Sequence, residues 1–170
     1  MALDKPSPIT TWLRALARDV HSELGGPGVG VVGMCLTGGF GLAMLVEPAV
    51  SAPVLSQPAT PFPIGGKRKA SLGLSADDWA KVEQRIEEGC SVLGLRFTGD
   101  SAVPDARFAT LRKRLGDNFI AVEIDSGADN PHGIGGTAHS VLTEDLVDEP
   151  DHPTAAALQK TIDFLRNRLT

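Results

Sequence analysis

Hydrophobic positions change their period several times along the chain, and each change marks an element. Ser7 and Pro8 form a capping residue and a first-position proline. Trp12, Leu16, Val20 and Leu24 then recur at helical spacing, and Leu13 widens the stripe. Gly25-Gly26-Pro27 ends that helix. The β-branched run Val29, Val31 and Val32 reads as a buried strand, and an apolar helical pattern follows from Phe40 to Val46. Val50–Leu55 reads as a second strand, Ser91–Thr98 as a third and Phe119–Ile124 as a fourth. Ser75-x-x-Asp78 resembles a capping box and opens a helix whose apolar face is Trp79, Val82 and Ile86. Further helices are predicted over Asp105–Leu115 and from Thr154, the last with Leu158, Ile162, Leu165 and Leu169 on one face. Gln57 to Gly73 is rich in Pro and Gly and reads as a surface excursion, its Lys67-Arg68-Lys69 cluster solvated. Strands that alternate with helices imply a parallel sheet. The expected fold is therefore α/β, about four strands with flanking helices, in a single domain over residues 1–170.

Composition narrows the classes of function. At 170 residues with 42% hydrophobic content, the chain can bury one sizeable core. A net charge of −5 provides no basic footprint, so no nucleic-acid partner is expected. No apolar run approaches the roughly 20 residues of a membrane span. Met1-Ala2-Leu3-Asp4-Lys5-Pro6 lacks the apolar core of a secretory signal, so the cytoplasm is the expected compartment. Two cysteines make no disulfide framework.

One of those cysteines stands at a telling place. Gly33-Met34-Cys35-Leu36-Thr37-Gly38-Gly39 joins the first strand to the helix after it. Strand, sharp turn and helix with a reactive side chain at the apex is the pattern of a nucleophile elbow. Glycines flank such a turn because it leaves little room for side chains. Cys35 then sits where free N–H groups and the helix dipole favour a thiolate. Gly28-x-Gly30-x-x-Gly33 also matches the dinucleotide fingerprint literally. That fingerprint must follow a strand and open a helix, whereas here its spacer residues are the strand itself.

Gly33-x-Cys35 and the small residues behind it resemble the dienelactone hydrolase branch of the α/β-hydrolase fold, which uses Cys where most relatives use Ser. The usual elbow there reads Gly-x-Cys-x-Gly-Gly; here Thr37 stands two after the cysteine, and the glycines come one later. The resemblance covers the chain from about Ser7 to the C-terminus and implies a three-layer α/β-hydrolase-like sheet. It also implies nucleophile, acid and His in that chain order. Asp100, in the turn Gly99-Asp100-Ser101-Ala102-Val103-Pro104 after the third strand, matches the acid. His139, in the Gly-rich loop between the last strand and the last helix, matches the base. Asp105 is the rival acid and reads better as a first-turn residue of its helix. His132 is the rival base and stands farther from the final helix. Asp125 and Asp129 read as loop or Asx-turn residues. Cys90 reads as a core or edge thiol, and His21 and His152 as surface residues near helix ends.

The activity implied is hydrolysis of small carboxylic esters or lactones through a thioacyl-enzyme, with no metal or organic cofactor. The Leu36 N–H would supply one oxyanion donor. In the family, strands precede the elbow strand, and the loop after the third of them supplies the second donor. The chain begins instead at the helix before the elbow strand, so N-terminal truncation is expected. Losing one donor typically costs about a hundredfold in rate. A catalytically impaired fragment and a non-enzymatic thiol protein are the other readings. Without those strands the elbow strand would be a sheet edge, and the isolated chain is expected to be marginally folded or to form homo-oligomers.

Overall fold

The computed structural model describes residues 7–60 and 65–170. Met1–Pro6 and the middle of the excursion, residues 61–64, lie outside the described residues. Among the described residues six α-helices and four strands follow one another as α1 (Pro8–Leu24), β1 (Val29–Met34), α2 (Gly38–Met44), β2 (Val50–Ser56), α3 (Gly66–Ala70), α4 (Ala76–Glu87), β3 (Val92–Phe97), α5 (Asp105–Leu115), β4 (Phe119–Ile124) and α6 (Pro153–Leu169). The strands form one parallel sheet in the order β1-β2-β3-β4.

Both faces of that sheet are covered, which is why β2 and β3 carry almost uninterrupted apolar runs. Leu55, Val92 and Phe119 point to one face and pack with residues of α2, α4 and α5, among them Leu42, Trp79, Val82, Phe108 and Leu111. Val54, Leu93, Leu95 and Phe97 point to the other and pack with Ala157 and Phe164 of α6. Ser75 caps α4 as expected, its Oγ accepting from the Asp78 N–H at 3.1 Å. No helix among the described residues is long and apolar enough to cross a membrane.

Three expectations from periodicity and composition need correction. The apolar stripe of α1 does not face the core: Trp12, Leu16 and Leu24 are exposed, while Thr10 and Ala17 are buried. This helix packs at the β1 edge, where only a narrow face finds a partner. In α6 the buried line is Thr154, Ala157, Thr161 and Phe164 rather than Leu158 and Ile162. Small residues let that helix approach the sheet so closely that a Cβ on Gly30 of β1 would lie 2.9 Å from Leu165. The stretch from Gln57 to Gly73 is no plain surface excursion, since Gln57, Thr60 and Leu72 are buried. Arg68 and Lys69 in α3 are exposed, as a solvated basic cluster requires.

The β1 strand is a sheet edge. Val32 and Met34, on the α6 face of that edge, are exposed, as is Leu36 just beyond it.

Candidate active site

Cys35, Asp100 and His139 all follow the C-terminal ends of parallel strands, β1, β3 and β4 respectively. In open α/β sheets that end is where ligands bind. Each of the three is held there by a different local device.

At the end of β1, Met34 is still extended, and Cys35 turns to φ +50°. This is the left-handed region, which costs a non-glycine residue roughly 1–3 kcal/mol. One tight turn, Cys35–Thr37, then leads directly into α2. Gly33 makes the reversal sterically feasible, because a Cβ there would stand 2.5 Å from the Thr37 carbonyl oxygen. Thr37, the departure from the usual elbow pattern, is accommodated by pointing outward. Its Oγ1 donates to the Met34 carbonyl at 2.7 Å and accepts from the Met34 N–H at 2.9 Å, tying the two ends of the turn. Close contact behind the turn falls to Gly38, whose added Cβ would meet Pro58 at 2.5 Å. The Leu36 N–H belongs to the first-turn donors that a helix leaves without an internal partner. Cys35 is partly buried against the core, and its thiol is free, as is that of Cys90. Cys90 precedes β3, at the opposite end of the sheet.

After β3 the chain turns through Gly99-Asp100, and the Asp100 carboxylate is buried. Its Oδ1 accepts from the Ala102 N–H at 2.9 Å. Its Oδ2 faces the His139 ring, with Nδ1 at 2.6 Å. Because a carboxylate can only accept, the neutral His139 carries its proton on Nδ1 and leaves Nε2 as a base. The structure thus brings Asp100 and His139 together, while among the described residues it gives Cys35 Sγ no hydrogen bond to either.

The rivals fall elsewhere. Asp105 is exposed in the first turn of α5 and pairs with Arg96. The His132 ring stacks edge-on against His152 at 5.3 Å between centroids. His152 caps α6, accepting from the Thr154 N–H. Asp125 forms the expected Asx turn, accepting from the Gly127 N–H at 2.9 Å. The glycine fingerprint runs from Gly28, just before β1, to Gly33 inside it, so it opens no helix. Among the described residues no group of three or more His, Cys, Asp and Glu side chains could hold a metal ion.

Two residues escaped the sequence reading. Asp145 accepts from the backbone N–H groups of His139 and Ser140, at 2.9 and 2.7 Å, and so anchors the loop that carries His139. Replacing Asp145 with Ala leaves both donors unpartnered. The expected result is a looser His139–Ser140 segment, with faster hydrogen exchange at both amides and a lower melting temperature. Amide exchange beside a melting curve checks it. Arg107, on α5, is fully buried and makes five hydrogen bonds. Burial pulls its guanidinium down to about 10, and the neighbouring Asp100 carboxylate pushes it back up, so it is a cation at neutral pH. With every N–H occupied, it is not free to hold a substrate carboxylate.

Neither protein-family models, nor curated proteins, nor solved structures provide a match to this chain.

Proposed function

We propose that this chain is a thiol hydrolase of small carboxylic esters or lactones, built on an α/β-hydrolase-like sheet of the dienelactone hydrolase kind. The observation that carries this reading is the Asp100–His139 pair at 2.6 Å, at the same end of the sheet as a cysteine held at positive φ. Cys35 Sγ attacks the carbonyl carbon while His139 Nε2 takes the thiol proton. The oxyanion forms against the Leu36 N–H. His139 returns its proton to the leaving alkoxide and then activates water to cleave the thioester. Asp100 holds the tautomer and stabilises the imidazolium. The bond from Cys35 to the base is one that commonly tightens only with substrate.

The test is p-nitrophenyl acetate turnover with peptide mapping of the trapped intermediate. Acetyl on Cys35 is expected; turnover by folded protein with no adduct, or no turnover at all, overturns the reading.

Self-association through the open β1 edge belongs to the same proposal. The sedimentation coefficient is expected to rise with concentration and to rise less for Val32→Lys. A monomer at all concentrations contradicts it.

A further inference from the structure

We propose that Arg107 is the positioning residue that sets Cys35 against the Asp100–His139 pair. This rests on the hydrolase reading above. In the described sheet β1 and β3 are not paired, because β2 lies between them. The segment leaving β2 bridges the gap. The Ala59 N–H donates to the Cys35 carbonyl oxygen at 2.9 Å, gripping the apex of the turn by its backbone. One residue earlier, the Pro58 carbonyl accepts from Arg107 Nη1 at 2.8 Å. The same Nη1 donates at 2.8 Å to the carbonyl of Ala102, whose N–H holds Asp100 Oδ1. Asp100 Oδ2 then holds His139. A single buried nitrogen therefore ties the backbone that holds the nucleophile to the backbone that holds the acid.

The remaining bonds stiffen that link. Arg107 Nε donates to the Ser71 carbonyl at 2.9 Å and Nη2 to Thr60 Oγ1 at 2.8 Å, pinning the ends of the excursion against α5. Only a guanidinium offers five donors in a fixed plane; an ammonium offers three on a flexible stem. Arg107→Lys therefore keeps a positive charge and loses the planar span from Pro58 to Ala102.

The experiment compares the wild type, Arg107→Lys, His139→Ala and the double variant. It measures esterase kinetics and the rate of Cys35 alkylation by iodoacetamide across pH. Alkylation reads the coupling of the thiol to His139 even where no ester is turned over. For Arg107→Lys the expected result is a kcat lowered about tenfold or more at nearly unchanged KM. The pH curve for Cys35 alkylation should shift as well. In the His139→Ala background the alkylation effect of Arg107→Lys should vanish, since the positioning acts through that ring. A folded Arg107→Lys with wild-type kcat and wild-type alkylation overturns the proposal. So does an equal alkylation effect in both backgrounds, or failure of both Arg107→Lys and Arg107→Gln to fold, which makes Arg107 a residue of stability alone. An absence of turnover in every protein, with the alkylation coupling intact, sinks the hydrolase reading and leaves the positioning role standing.

Discussion

Cys35→Ala is expected to lose the acyl adduct entirely and to lower ester turnover by at least about 10⁴-fold. The reason is chemical: with no thiol there is no covalent route, and water must attack the ester directly. The fold should not change, because Ala adopts the same backbone at the same steric cost and the sulfur is only partly buried. A second variant separates chemistry from strain. Cys35 sits at φ +50°, a conformation that glycine adopts freely. Cys35→Gly is therefore expected to be equally inactive and yet more stable, by roughly 1 kcal/mol, because the strain is relieved. Opposite signs in activity and stability are the mark of strain kept for function. Chemical denaturation of the three proteins, alongside intact mass after acetylation, checks both effects. Turnover retained in Cys35→Ala would remove the nucleophile from the proposal.

How far the sequence reveals this site depends on how local each cause is. The bounds of α5 and β4 coincide with those expected from sequence: Pro104 and Gly116 flank the helix, and the polar residues Asn118 and Asp125 flank the apolar run of the strand. The sharp reversal at Cys35 was legible in Gly33-x-Cys35, since a tight turn constrains its immediate neighbours. The chain order that the resemblance implies singled out Asp100 after the third strand and His139 after the fourth, and a hydrogen bond joins these two side chains. The facing of α1 was not legible. Among the described residues Trp12, Leu16 and Leu24 of its apolar stripe stay exposed beyond the sheet edge, and periodicity registers amphipathicity without saying what will cover it. Gln57 to Gly73 looked solvated because its composition is that of a loop. Its two ends turn inward at Gln57, Thr60 and Leu72, where a guanidinium 36 to 49 residues away in sequence satisfies the Ser71 and Pro58 carbonyls. Asp145 was invisible for a similar reason: it bonds only to backbone N–H groups, which every non-proline residue has.

Asp100→Asn is the substitution whose outcome follows most directly from the hydrogen-bond pattern. The Ala102 N–H is a fixed backbone donor aimed at one side-chain oxygen, at 2.9 Å. An asparagine there must keep its carbonyl oxygen toward that N–H, which turns its amide NH₂ toward His139. His139 Nδ1 would then have to accept, and the ring proton would move to Nε2. In that tautomer Nε2 is no longer a base and cannot take the proton from Cys35. Turnover is expected to fall roughly 10³- to 10⁴-fold, with substrate binding little affected. A second effect has the opposite locus. Asp100 raises Arg107 against the lowering by burial, so its neutralisation leaves a buried cation without its counter-charge. Arg107 should shift further below about 10, and the variant should melt at lower temperature. The sign follows from linkage: a cation harder to protonate in the folded than in the unfolded chain destabilises the fold while it stays charged. Nitrogen-15 spectra of the His139 ring distinguish the causes, because a tautomer exchange moves both ring resonances while simple loosening does not. A wild-type ring spectrum with wild-type turnover would mean that Asp100 only closes its own turn.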